Sequence, residues 1–561
     1  MPASQSDNID LVSKIKLKNV VPEKIADVGV LGDFAYLASW GVVTCKYNGV
    51  HVVDISDVES PEEVAFINSK EGSYPGEGIQ AVPISTPYFD GDILISNNEK
   101  CNDKTGFGGM NLYDVTNPAH PTPLAEGIGD FTANGQGKKD ANQIHSVFAW
   151  DAGDKAYAVI VDNEEGTDVD IMDITDPRKP FLTAEYDLDE LFPQIKQDAP
   201  SNLAEIFLHD IVVKEIGGEQ VMLLSYWDAG YVKVDMTDVQ NPVYLGDTDF
   251  TNPDPEALES RFTVPPEGNG HQAEFTMDNK YVVGADEDFA PFSLTTKNLT
   301  DGTEVTASQG SNTTKLKPGD IITGQSKFVG LACDSSVPAG DGTQIAVVER
   351  GVCDFTAKVA NVSEAGGYSA ILLFNRTASD ACEITLGMSV AGDIPTFGVA
   401  PRSQGYAIFD APYDEADCLA GDGTELAPIA LGATGDELTF SSAFDGWGYV
   451  HLFDNSDGKM TELDTYAIPE AHDPAFADGF GDLSVHEVAT SQTVANRMYF
   501  SYYSGGFRVA EIEDDKIVEK GRYIAEGGNN FWGVQTFEQG GEEYVAASDR
   551  DSGLWIFKYN G

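Results

Sequence analysis

One phrase recurs along the chain and restricts its fold more than any other feature. D-(I/V/M)-(S/T)-(D/N)-x-x-x-P ends an alternating apolar strand in DISDVESPEEV from Asp54, DVTNPAHPTPL from Asp114, DITDPRKPFL from Asp173 and DMTDVQNPVYL from Asp235. Looser copies end at Ile468 and Ile524. A second phrase, a strand opened by His, occurs at His145, His209, His271 and His486. Strands with period-two alternation, punctuated by Gly, Asp and Pro, predict antiparallel hairpins. The contiguous copies repeat every roughly 45 to 60 residues, the length of a four-stranded propeller blade rather than of a helical solenoid unit. Inner strands fall near Val28, Ile79, His145, His209, His271, His486 and Trp532, which predicts an all-β, seven-bladed β-propeller, with eight blades as the rival count. The last unit ends after three strands, so the unpartnered segment Ile15 to Ile25 is expected to complete the seventh blade and hide its edge.

The pattern breaks after Asp288 and resumes about 150 residues later, a gap long enough for a domain of its own. The break contains IAVVERGVCDFTAKVANVSEAGGYSAILLFNR, from Ile345 to Arg376. It reads as strand, RGxCxFxxKxxN, helix, AGG and a second strand. This closely resembles the protease-associated (PA) domain, with Arg350, Gly351, Cys353, Phe355, Lys358 and Asn361 matching its motif and Ile394 to Pro401 its next strand. The resemblance implies a non-catalytic α/β-type binding module or lid. Neither HExxH nor GxSxG accompanies it. The repeated D-phrases, over roughly 400 residues at the period of a blade, are similar to LVIVD-repeat propellers. The His-opened strands and GADED also resemble choice-of-anchor B surface proteins. Both resemblances imply a propeller and say little of function, because these families mostly lack an assigned activity. The expected organisation is propeller over 15–290, PA insert over 291–440 and the remainder of blade 5 with blades 6 and 7 over 441–561.

Composition narrows location and partners. The formal charge is −58, from 92 acidic against 34 basic residues. Nucleic acid and anionic membranes both need a basic face, so neither is an expected partner. Self-repulsion of this size predicts a saline, halophilic setting, with an acidic secreted protein from any source as the alternative. No apolar run is long enough for a membrane-spanning helix. The start, MPASQSDNID, lacks the charged and apolar segments of a signal peptide and reads as a mature or trimmed end with an added Met. Six Cys, falling as Cys45/Cys101, Cys333/Cys353 and Cys382/Cys418, favour three disulfides and an oxidising compartment. Their connectivity stays open, and buried thiols in a cytosolic protein are the alternative. The protein is therefore expected to be secreted or on the cell surface. Four sequons, at Asn298, Asn312, Asn361 and Asn375, make the insert the candidate sugar-bearing face.

Of the eight His, four sit at one register of the repeat. Inner-strand starts and second-strand ends share one face of a propeller, around its channel. That places His145, His209, His271 and His486 beside Glu99, Asp162, Asp228, Asp286 and Asp549, with the insert leaving from the same face. Two readings compete. In one, each imidazole locks a blade by bonding a neighbour. In the other, the four imidazoles hold Fe, Cu, Zn or Ni, with the carboxylates orienting them. A role in substrate binding or acid–base chemistry without metal is a third. Four-His iron on the axis of a seven-bladed propeller is the geometry of carotenoid-cleaving oxygenases, though no sequence match to that family is present. The acidic runs Asp162 to Asp170 and Ala285 to Phe289 suit Ca²⁺, without EF-hand spacing. Tyr226, Trp227, Tyr502, Tyr503, Trp532 and Arg550 form a candidate stacking surface, with blade packing as the plainer role. The sequence thus supports a surface protein binding an extracellular peptide, glycan or small molecule through its top face and PA domain. The alternative is a metal-dependent enzyme, oxidative or hydrolytic, working under a PA lid.

Overall fold

Each copy of the repeated phrase closes the hairpin between the third and fourth strands of a blade. The Asp that ends the third strand accepts the backbone N–H two residues on, in Asp54 to Ser56, Asp114 to Thr116, Asp173 to Thr175, Asp235 to Thr237 and Asp454 to Ser456. This side-chain turn is why Asp recurs there. The apolar residue between, Ile55, Val115, Ile174 or Met236, is buried and its N–H bonds back across the blade.

The computed structural model describes residues 2–101, 106–129, 143–163, 166, 168–197, 203, 206–250, 253, 266–310, 312–317, 319–378, 381–383, 390–456 and 460–561. Seven antiparallel sheets of the propeller lie at 25–68, 80–128, 144–187, 208–247, 270–286 with 450–466, 487–524 and 531–559, called blades 1 to 7. The chain is a seven-bladed β-propeller, and the eight-blade count is excluded. Blade 7 takes its fourth strand from the N-terminus: Ile9–Lys16 pairs antiparallel with Gly553–Tyr559. The closing strand therefore lies earlier than the Ile15 to Ile25 segment, because Pro22 and the polar residues around it form the turn into blade 1, whose first strand begins at Ile25. Gln5–Asp7 adds a fifth strand to blade 6 against Arg522, Tyr523 and Ile524.

Blade 5 is split. Its second strand, Tyr281–Asp286, pairs with Val450–Asp454, and the described strands between them form a separate seven-stranded sheet flanked by helices. The chain leaves and returns on paired strands, Phe292–Asn298 against Thr434–Phe444. Within the insert, the helix Phe355–Ala365 packs Val359 and Val362 onto the parallel strands Gln344–Glu349 and Tyr368–Phe374. The motif Lys358 is buried, and its ammonium donates to the carbonyls of Leu331, Glu349 and Gly351 at 2.7, 3.0 and 2.8 Å. Arg350 bonds Asn375, and Asn361 bonds the Ala332 carbonyl. These residues shape the loop before the helix and leave Val352 exposed at its tip.

The six Cys pair as Cys45–Cys101, Cys333–Cys353 and Cys382–Cys418, the first joining blades 1 and 2. No described helix is long and apolar enough to cross a membrane. The sequons part company. Asn298 and Asn375 are buried with their amides bonded to Asp436 and the Ala381 carbonyl, so the folded insert presents neither to a sugar transferase. Asn361 is half-buried and spends its amide on Ala332, while Asn312 is exposed.

Ring closure rests on a short terminal strand, so its removal is informative. Deleting residues 2–16 bares the edge Gly553–Tyr559, and we expect a large fall in Tm with aggregation. Deleting residues 2–4 leaves both N-terminal ladders paired and changes Tm little. Ile9→Ala is expected to cost about 2–5 kcal/mol by denaturant unfolding, the usual range for truncating a buried aliphatic side chain.

Candidate functional site on the propeller axis

The inner strands carry a β-bulge where they reach the axis. In blade 3, Ile144 pairs with Asp162 and Ser146 with Val161, so His145 is the extra residue. His209 and His271 are the extra residues of blades 4 and 5 in the same way. In blade 6, His486 directly precedes the strand, its N–H on the Ser501 carbonyl. A bulge re-aims one side chain, and here the His and the residue after it both serve the axis.

Those following residues tie blades together. Ser146 donates to Asp210 at 2.6 Å, Gln272 accepts the Val488 N–H, and Glu487 accepts the Val534 N–H. Asp27 accepts the Ile79 N–H and Gln80 the Ala149 N–H, linking blades 1 to 2 and 2 to 3. Asp27, Asp210, Gln272, Glu274 and Glu487 line a small cavity of about 80 Å³ below the imidazoles.

The imidazoles converge. Ring centroids run His145–His209 4.4 Å, His209–His271 4.2 Å and His271–His486 4.3 Å. At their centre lies Glu77, from the GEG turn that leads into blade 2. Its carboxylate stands 3.1 Å from His145, 3.9 Å from His209, 3.5 Å from His271 and 3.4 Å from His486, each measured to Nε2. Glu287 approaches His271 and His486 at 3.5 and 3.6 Å and takes the Tyr503 hydroxyl. Glu99 bonds His145 Nδ1 at 3.1 Å and accepts the Tyr74 hydroxyl at 3.0 Å. His145 and His209 meet Nε2 to Nε2 at 3.0 Å. Neither ring nitrogen of His271 or His486 makes an aligned hydrogen bond among the described residues.

Burial divides the four rings electrically. For His145 burial opposes the charge, but Glu77 and Glu99 outweigh it and hold the pKa well above the usual value. His271 is pushed up to about 9, Glu287 and Glu77 together overcoming burial. Burial and the neighbouring imidazoles push His209 well down and His486 down to about 3. Glu77 stays ionised despite burial because His145 and His271 face it. Glu287 is pushed up to about 7, mainly by burial. Two donor sets of metal-binding type result, Glu77–His209–His271 and His271–Glu287–His486, each with its ligand atoms within 4.8 Å of one another. They share His271, so they are adjoining halves of one centre.

The remaining candidates scatter. Asp286 accepts the Tyr231 hydroxyl and pairs with His451 on the third strand of blade 5, because the twist of its strand turns it between blades 4 and 5. Asp228 turns to the Asn269 N–H, and Asp549 accepts from Asn530 N–H and the Ser552 hydroxyl, closing its own hairpin. Asp162 is buried on the ladder opposite Ile144. Glu99 takes up an imidazole of the ring, that of His145. Tyr226 is buried among Ile171, Leu208 and Val232, and Tyr502 between blades 5 and 6, so both are packing residues. Trp227 lies 5.2 Å from His209, Trp532 lies 4.5 Å from His486, and Arg550 sits 4.4 Å over Trp532. The run Asp286, Glu287, Asp288 points three ways: to His451, to the axis and to the insert junction. Glu164, Glu165 and Thr167 of the other acidic run lie outside the described residues.

Profiles of known families match at two places. An LVIVD repeat covers residues 24–68 and a PA domain covers residues 322–408. The chain is a seven-bladed β-propeller that carries an LVIVD repeat and an inserted PA domain. A search of curated proteins gave no match. Among solved structures, a zinc aminopeptidase from Bacillus subtilis matches at 13% identity and TM-score 0.20, over 36% of this chain and 38% of its own. The chain thus spans well under half of that enzyme. Sqt1 of Saccharomyces cerevisiae aligns over 99% of both chains at 9% identity and TM-score 0.41. These likenesses are too weak to carry function.

The buried carboxylates below the ring have a measurable consequence. Glu274 is pushed up to about 8 by burial, against a usual 4.5, with the Lys214 charge only partly offsetting it. Folding therefore takes up a proton in that window, and stability falls as pH rises from about 4.5 to about 8. Glu274→Gln is expected to match the parent at pH near 5 and to exceed it near pH 9. Denaturant midpoints at the two pH values check this.

Proposed function

We propose that this protein is an extracellular binding propeller whose receptor centre is a transition-metal ion held on the axis by His145, His209, His271 and His486. The observation that carries the reading is the division of labour at the bulge. The residue after each bulge already ties the blades, so the imidazoles are not needed as locks, and among the described residues the buried ring nitrogens of His271 and His486 stay unbonded. Buried polar atoms without partners are costly, and metal coordination is one way to satisfy them. Clustered imidazoles with carboxylates suit Fe, Zn, Ni or Cu, the arriving cation displacing the protons that His145 and His271 carry. Glu99 on His145 Nδ1 is the kind of partner that fixes a ligating ring. Trp227, Trp532 and Arg550 supply an aromatic and cationic wall for a peptide, glycan or small molecule, and the PA domain supplies a second binding module. Three disulfides support an oxidising, extracellular location.

A second reading, metal-dependent oxidative or hydrolytic catalysis, is favoured by Glu287. Its carboxyl, pushed up to about 7 beside two imidazoles, is poised to exchange a proton near neutral pH. Elemental analysis of the untagged protein, with no metal added, tests the shared premise. Near-stoichiometric transition metal is expected, and His271→Ala is expected to abolish it with the propeller still folded. Absence of metal from folded, active-site-intact protein overturns both readings in favour of a metal-free ligand site.

The charge of −58 supports a saline habitat. Tm is expected to climb steadily from low to molar NaCl, since mobile ions screen the self-repulsion. A flat response removes this reading.

A further inference from the structure

Away from the axis, a second cluster stands where the insert joins the propeller. Glu267 precedes the first strand of blade 5, Asp288 follows its second strand, and Asp445 follows the strand by which the insert returns. These positions come from three separate stretches of chain, yet their carboxylate oxygens lie within 4.8 Å of one another. Asp288 and Asp445 bracket the whole insert, one at its departure and one at its return.

The cluster is more than surface acidity. Asp288 is only 8% exposed and Asp445 only 2%. Asp288 uses Oδ1 to cap the Ala290 N–H at 2.7 Å, while its Oδ2 is buried with no hydrogen-bond partner among the described residues. Its N–H is held by the Ser484 hydroxyl at 2.9 Å, so the residue is fixed in place. Burial, with Asp445 adding to it, pushes the Asp288 carboxyl up to about 8, and burial pushes Asp445 up to about 7. Three carboxylates packed this closely need protons or a cation. The cluster opens on a cleft of about 740 Å³ between propeller and insert, which gives solvent a path to it. Lys315 and Lys317 of the insert also line this cleft. Neither satisfies Asp288 Oδ2.

We infer that Glu267, Asp288 and Asp445 bind a Ca²⁺ ion that clasps the two ends of the PA insert to blade 5. The donors are all carboxylate oxygens, with no imidazole or thiolate among them, which selects a hard cation over the metals suited to the axis. Ca²⁺ accepts an irregular shell of oxygens at about 2.3–2.6 Å, whereas Mg²⁺ demands a near-ideal octahedron at about 2.0–2.1 Å, so carboxylates set by three separate stretches of chain favour Ca²⁺. Water in the cleft completes the shell. An ion there joins the departing and returning strands to the loop before blade 5, and so sets how the PA domain is carried over the axial face. This clasp does not depend on the axial metal.

Trp447 lines the same cleft and is the natural donor for lanthanide luminescence. Tb³⁺, a Ca²⁺ probe, is titrated into the full-length protein in molar NaCl, which screens loose binding to the acidic surface. Emission excited through tryptophan is expected to saturate near one equivalent, to be displaced by Ca²⁺ and to resist equal Mg²⁺. Glu267→Gln and Asp445→Asn should each weaken the site by about tenfold or more, because Ca²⁺ affinity follows ligand charge. His271→Ala should leave it unchanged. Ca²⁺ should also slow proteolysis at the insert junctions in the parent and not in Glu267→Gln. Glu267 is the half-buried member of the trio, so its variant serves if Asp445→Asn does not fold. Emission that never saturates, that titrates in Glu267→Gln with the parent's affinity, or that disappears in His271→Ala overturns the inference.

Discussion

Everything on the axis depends on ring closure. Seven inner strands meet at one channel only because the N-terminal strand Ile9–Lys16 completes the last blade. That pairing removes the open edge that the three C-terminal strands alone would present. It also brings His145 and His486, distant in sequence, onto one carboxylate. Four successive blades each deliver an imidazole, and the blade before them delivers Glu77 instead.

The cost of this arrangement is buried charge, and the structure meets it in layers. Residues after the bulges spend their side chains on neighbouring blades, which keeps the carboxyls of Asp27, Asp210 and Glu487 bonded. The imidazole layer is less satisfied. Two rings, His145 and His271, are held protonated by Glu77 and its companions, and two, His209 and His486, are held neutral by burial and by those charged neighbours. An alternation of charged and neutral rings around one carboxylate is a poised site, since an arriving cation has donors ready and protons to displace.

The PA insert is placed by the same economy. It leaves and returns on paired strands from one edge of blade 5, so a domain of its own core is attached without breaking the ring. Its RGxCxFxxKxxN motif reads equally well in sequence and structure, because Lys358, Arg350 and Asn361 bond backbone and side chains within the insert itself. Local motifs of this sort are legible. The pairing of Cys45 with Cys101 was not, for it depends on blades 1 and 2 lying side by side.

Sequence alone determined the repeat, the strand count and the four-His register, because each arises from local rules: period-two alternation, the Asx turn of the D-phrase and a bulge at one position in the blade. It misplaced the second-strand acids. Asp228, Asp286 and Asp549 are drawn to the nearest backbone amides and to His451, and spacing along the chain carries no record of those partners. It also passed over Glu77, whose turn GEGIQ parallels GNGHQ at the start of blade 5 but carries Glu where that blade has Asn269. Only the tertiary structure decided that this one carboxylate lies among four imidazoles, and that Asp286, Glu287 and Asp288 part company within three residues. The reason is physical: strand twist and ring closure set side-chain direction, and both are properties of the assembled sheets rather than of any single strand.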